Sequence, residues 1–143
     1  MITDIAKRKL ALFLKEFIKK ANVGVGSNAT FPSATDLDIP ILSTKVSTTN
    51  SESDDTTIDF LASFTGTQLQ GNSVSEFGLF GTVPQDTGFD EMYGGTANPA
   101  TGGANYASEE IMFARINFDA IGPFAASDTI EFILVLEVEW NGK

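Results

Sequence analysis

The stretch VSEFGLFGT, residues 74–82, decides how this chain is read. Strand-forming apolar residues surround a lone carboxylate, Glu76, and two glycines, Gly78 and Gly81, interrupt the run. A strand changes face at every residue, which puts Val74, Glu76 and Gly78 on one side and Ser75, Phe77 and Leu79 on the other. Leu79 and Phe80 are both large and adjacent, so the pattern shifts, and a β-bulge or kink at Gly78 would reconcile it. Glu76 is then expected on a polar face or at a subunit contact. A catalytic role would need a second acid across a pocket. Glu109, Glu110 and Asp119 are the available acids, and no spacing singles out a pair.

The same alternation recurs on both sides of this stretch. In TIDFLASFT, residues 57–65, Ile58, Phe60, Ala62 and Phe64 take one face. In IMFARINFDAI, residues 111–121, Met112, Ala114, Ile116 and Phe118 oppose Phe113, Arg115, Asn117 and Asp119. The strongest signal is TIEFILVLEVEW, residues 129–140, where Ile130, Phe132, Leu134, Leu136, Val138 and Trp140 form the inner face. Its outer face is acidic at Glu131, Glu137 and Glu139 but apolar at Ile133 and Val135, so its middle is expected to be covered by the helix or a neighbouring subunit. Several alternating strands need a second layer to bury their inner faces. The expected fold is therefore mainly β, an antiparallel β-sandwich of six to eight strands with an N-terminal amphipathic α-helix.

The helix is read over residues 3–21, within a leading segment 1–22, with Thr3 as N-cap and Asp4 in the first turn. At about 100° per residue, Ala6, Leu10, Phe13, Leu14, Phe17, Ile18 and Ala21 form one stripe. Arg8, Lys9, Lys15, Glu16, Lys19 and Lys20 lie opposite, with Ile5 and Leu12 as apolar exceptions among them. Residues 22–28, NVGVGSN, then supply breakers that close the helix. The run GVGSN lacks the Gly-Lys-Ser/Thr of a phosphate loop and reads as turn chemistry. The remaining residues, 23–143, form the sandwich domain, interrupted by a long connection at about 84–109. A connection of that length tends to be functional or mobile. Tyr93 and Tyr106 flank its Gly-rich half and are candidate receptor or partner contacts.

Composition removes whole classes of chemistry. With no cysteine and no histidine there is no disulfide, thiolate nucleophile, Cys/His zinc site or imidazole base. No catalytic, cofactor or metal-binding residue is assigned. The acids at Glu52-Ser53-Asp54-Asp55 and at Asp86, Asp90 and Glu91 match no EF-hand spacing and read as solvated loops, with calcium at the second cluster the competing reading. The basic apolar start does not read as a signal peptide, since Lys15 and Glu16 interrupt it without a cleavage site. No run of apolar residues is long enough to span a bilayer.

Charge is divided unevenly. Residues 1–22 hold six cations and two acids, whereas residues 23–143 hold three cations and 17 acids. The body should repel nucleic acid, and the leading helix should seek acidic protein surface rather than membrane. We expect Leu10, Phe13, Leu14 and Phe17 of the helix, with Ile133 and Val135, to lie in subunit contacts.

The order of VGVGSNATFPSATDLDIPI, VSEFGLFG, FARINFDAIGPF and DTIEFILVLEVE resembles small virion proteins of tailed bacteriophages and related archaeal viruses, among tail-fibre, tail-collar and baseplate components. The chain carries Gly122-Pro123-Phe124 where similar members often have a lysine. The resemblance implies a non-enzymatic structural protein located in a virion, a repeated subunit of a tail, fibre, baseplate or capsid-surface assembly. Its implied partners are copies of itself, other virion proteins and a host-surface receptor, with no cofactor. A carbohydrate- or receptor-binding β-sandwich using the 84–109 connection is the alternative, and a carboxylate-based hydrolase a third.

Overall fold

A computed structural model describes residues 1–30, 32–86 and 107–139. The chain is mainly β, with two antiparallel sheets and an N-terminal helix. Helix α1 (Asp4–Phe17) leads into β1 (Lys20–Gly24), β2 (Val46–Ser47), β3 (Thr49–Asp54) and β4 (Thr57–Thr65). A single helical turn, α2 (Gly66–Leu69), precedes β5 (Val74–Pro84), β6 (Ser108–Ile121) and β7 (Thr129–Glu137). One sheet has the order β2-β1-β5-β6 and the other β3-β4-β7. The chain crosses between them three times, from β2 to β3, through α2, and from β6 to β7.

The inner faces meet in one core. Phe60 and Phe64 of β4, Phe77 and Leu79 of β5, and Ile58 are fully buried, with Phe132, Leu134 and Leu136 of β7 packed against them. Phe77 stacks on Phe132 at a centroid distance of 5.1 Å, and Phe64 meets both rings edge-on at 6.4 and 5.9 Å. These offset and T-shaped contacts are the arrangements that aromatic quadrupoles favour.

Helix α1 starts where its cap predicts, with Thr3 Oγ1 accepting from the Ala6 N–H. It ends at Phe17, four residues short of the expected boundary. Ile18 caps it in an extended conformation, and Lys20 and Ala21 already belong to β1. The residues 22–28 expected to break a helix therefore begin inside a strand. Ala21 follows Ile18 at helical i+3 spacing, whereas Ala21 and Val23 have the i+2 spacing of a strand, and pairing with β5 decides between them: Ala21 faces Leu79 and Val23 faces Phe77. Gly81 makes the junction possible, because a Cβ there would collide with the Phe17 carbonyl. Lys19 N–H instead donates to the Phe80 carbonyl at 3.1 Å.

The helix buries Ala11 and Ile18 and packs Leu14 on the core. Arg8 and Lys15 both bond Glu52 of β3, at 3.0 and 2.9 Å, which holds the other flank. Those two cations keep the Glu52 carboxyl below the usual carboxylate range, Lys15 more than Arg8. The leading acidic run is thus built into β3 and the β3–β4 turn rather than into a free loop.

Strand β5 does not kink at Gly78. Its pairing with β1 is unbroken from Phe80 to Glu76, and Leu79 and Phe80 simply face opposite sides. Both sides are covered, so two adjacent large residues need no bulge. Two register shifts lie across the β5–β6 pair, one between Val74 and Glu76 and one between Leu79 and Phe80, where Phe113 of β6 is the extra residue.

Candidate functional site

The outer face of β5 carries Glu76, Gly78 and Phe80, and the connection from β1 to β2 folds across it as a strap. The described residues of this connection, 25–30 and 32–45, contain no strand beyond an isolated bridge between Gly24 and Pro40. Ile41 N–H donates to the Val23 carbonyl and Val25 N–H to the Ile39 carbonyl, each at 2.9 Å. The Asn22 side chain, itself buried, bonds both the N–H and the carbonyl of Leu42. Leu37 is 5% exposed and sits over Gly78, where a Cβ would come within 2.8 Å of its Cδ2. Gly78 is required for this close approach and not for backbone freedom. Further along, the Lys45 ammonium lies 4.6 Å from the Phe80 ring centroid and pairs with Glu110 at 2.6 Å.

Glu76 lies beneath the strap, fully buried rather than on a polar face or at a subunit contact. Its Oε2 accepts from Gly26 N–H at 2.7 Å and Ile39 N–H at 2.8 Å. Its Oε1 accepts from Asp38 N–H at 2.8 Å and Arg115 Nε at 3.0 Å. The Arg115 side chain, 3% exposed, also donates to Thr30 Oγ1 at 2.7 Å and the Asn28 carbonyl at 2.9 Å. Ser75, one residue before the glutamate, donates to the Gly26 carbonyl at 2.6 Å.

The physical reason for the charge follows from those partners. A strap without regular secondary structure has backbone donors that neither helix nor sheet satisfies, and each one buried without an acceptor costs about 1–3 kcal/mol. One carboxylate accepts three of them. Gly24 and Gly26 are glycines for the same reason, since a Cβ on either would run into the Glu76 carboxylate, and at Gly26 also into Asp38. The run GVGSN does cradle an anion, but that anion is a side chain of the same molecule. Burial alone pushes the Glu76 pKa up; the N–H groups of Ile39 and Asp38, the Arg115 guanidinium and the Gly26 N–H outweigh it and hold the carboxyl below the ordinary glutamate range.

Chemically, this arrangement is closed. Both oxygens of the carboxylate are occupied, and each nitrogen of the guanidinium donates one hydrogen bond, to Glu76, Thr30 and Asn28. A surface hollow of about 270 Å³ lies beside it, lined by Asn28, Ser33, Asp36, Leu37, Asp38 and Arg115. Of the acids considered as partners for Glu76, Glu110 is paired with Lys45, while Glu109 and Asp119 lie exposed on β6. The true partner, Arg115, was legible only as a polar-face residue. It is nevertheless the single cation between residues 46 and 139, set in an apolar strand just as Glu76 is the single acid in another.

Among the expected contact residues, Leu10, Phe13, Ile133 and Val135 are exposed at 45%, 37%, 63% and 53%. Leu14 and Phe17 are half-buried, Leu14 against the core and Phe17 against Phe13 with ring centroids 4.4 Å apart. The helix does not cover the middle of β7. Tyr93, Tyr106, Trp140, Asp90 and Glu91 fall outside the described residues. No helix among the described residues is long and apolar enough to cross a membrane. No protein-family model, curated protein or solved structure matches this chain.

Proposed function

We propose that the chain is a non-enzymatic structural subunit that assembles in many copies, as part of a virus tail, fibre, baseplate or capsid-surface structure. The observation that carries this reading is the placement of large apolar side chains on the outside of regular elements: Leu10 and Phe13 on α1, Ile133 and Val135 on β7. Isolated exposed leucines need no explanation, but neighbouring pairs on one helix face and one strand face mark contact surfaces. The buried carboxylate supports the same conclusion from the other direction. Its oxygens hold the fold together and have no lone pair left for a substrate. The resemblance of VSEFGLFG and its flanking strands to virion components supplies the setting.

Sedimentation of the purified chain over a wide concentration range tests the assembly, with oligomers expected. Proteomic analysis of particles from a culture carrying the gene tests the setting, with the chain expected at many copies per particle. A chain that stays monomeric throughout and is missing from such particles would overturn the reading.

A further inference from the structure

Resting on that reading of a self-assembling subunit, we infer that the exposed stripe of α1 in one copy docks on the outer face of the β3-β4-β7 sheet of the next, a head-to-tail contact between unlike surfaces. The two surfaces match in chemistry. On the helix, Leu10, Phe13 and the half-buried Phe17 form the apolar strip, with exposed Lys9 beside it and Lys19 and Lys20 around the hollow at Phe17. Glu16 and Glu110 also line that hollow, Glu110 being paired with Lys45. On the sheet, Ile133 and Val135 stand next to Leu61 of β4, which pairs with Ile133 in register. Asp59, Glu131 and Glu137 border them on the same face. No cation among described residues 46–139 is free to neutralise these acids, because Arg115 is buried beneath the strap.

Dimensions agree as well. Glu131 and Glu137 are separated by about 20 Å along a strand, and α1 spans about 12 Å from Lys9 to its end at Phe17, with Lys19 two residues beyond. The apolar centres, Ile133 to Val135 and Phe13 to Phe17, each span about 6 Å.

Like-with-like pairing is disfavoured on both surfaces. If β7 paired with its own copy so that Ile133 faced Val135, Glu131 would face Glu137 directly, and like charges opposed across a strand pair are destabilising. Stacking two outer faces would gather the same acids, and stacking two helices would gather the lysines. The helix cannot reach its own outer sheet face, since Arg8 and Lys15 fasten it to Glu52 while Ala11 and Ile18 sit in the core. An unlike contact of this kind propagates, as a ring if the rotation closes and as a filament if it does not.

Two variants separate the outcomes. Leu10→Gln with Phe13→Gln disables the helix side, and Ile133→Thr with Val135→Thr disables the sheet side; all four positions are exposed, and circular dichroism verifies folding of each. Each variant alone should be monomeric in sedimentation. Mixed in equal amounts, well above the concentration at which wild type assembles, they should form a one-to-one dimer and nothing larger, because one good helix meets one good sheet and both remaining ends are blocked. Reversing charge with Glu131→Lys and Glu137→Lys should weaken assembly, and a partner carrying Lys9→Glu and Lys19→Glu should restore it. If wild type assembles while the mixture stays monomeric, or while either variant still assembles alone, the inference fails and the assembly reading stands. If wild type itself never assembles, both fall.

Discussion

Strands β5 and β7 have similar sequences in outline, yet their outer faces have opposite fates. In β5 the outer face holds Glu76, Gly78 and Phe80 and is sealed under residues 25–45, with every oxygen lone pair of its glutamate in use. In β7 the outer face holds Glu131, Ile133, Val135 and Glu137 and is open, with its apolar pair more than half exposed. Alternation alone assigns a residue to a face. Whether that face becomes interior depends on a segment some 40 residues away, and on whether its backbone donors find acceptors there.

The largest expected effect comes from breaking the sealed side. Glu76→Ala leaves Arg115 charged and buried without its partner and removes the acceptor for three backbone N–H groups, so urea unfolding should show a loss of about 3–5 kcal/mol. Replacing both partners, Glu76→Leu with Arg115→Leu, separates the two contributions. Buried ion pairs are often exchanged for apolar residues at little cost. Here the strap donors remain orphaned, so the double variant should stay destabilised by at least about 2 kcal/mol. A double variant as stable as wild type would show that the ion pair alone matters and that the strap does not depend on the carboxylate.

A somewhat smaller effect is expected from the strap side of the same contact. Gly26→Ala places a methyl against Asp38 and the carboxylate, and overpacking of this kind costs about 1–3 kcal/mol. Hydrogen exchange localises the damage: the amides of Gly26, Asp38 and Ile39 should lose protection well before those of β4. Uniform loss across the core would mean that the strap and the sandwich unfold as one unit.

The acid dependence sharpens the comparison further. Glu76 has a folded-state pKa below its unfolded value, near 4.3 for a free glutamate, so its contribution is fully present above that pH. As pH falls through and below about 4.3, the unfolded chain binds the proton more readily and the contribution is lost. Glu52, held low by Lys15 and Arg8, acts in the same direction. Stability should therefore decline on acidification, and Glu76→Gln should start lower with a shallower decline. An unchanged slope in that variant would assign the acid sensitivity to the surface carboxylates.

How much of this was legible follows residue by residue. Strands β4 and β7 are visible because their inner faces alternate without interruption, and the start of α1 is visible because Thr3 and Asp4 are cap chemistry. The end of α1 is not, because Ile18 and Ala21 continue the helical stripe at i+3 while Ala21 and Val23 already have the i+2 spacing of a strand, and only β5 beside them decides. Strand β3, TNSESD, has no apolar face at all; it exists because β4 offers a ladder and α1 offers cations to Glu52. The buried pair was half legible. A lone acid and a lone base in two apolar strands are a signal, but the register that brings Gly78 opposite Arg115, one step from Glu76, is a tertiary fact.

The smallest expected effect lies on the open side, and it is the one that completes the contrast. Ile133→Thr and Val135→Thr remove apolar atoms that the single chain leaves in water, and threonine suits a strand about as well as the residues it replaces. Substitutions at such sites change stability by no more than about 0.5 kcal/mol. The measurement has to be made where assembly does not contribute, because any contact formed only by the folded chain raises apparent stability with concentration. The Leu10→Gln, Phe13→Gln background provides that condition, and in it the two threonines should leave the urea midpoint nearly where it was. In the wild-type background the same pair should lower it, by an amount that grows with protein concentration. A concentration-independent loss of several kcal/mol in both backgrounds would place Ile133 and Val135 inside the monomer's own core, and the outer face of β7 would then be sealed in the same sense as that of β5.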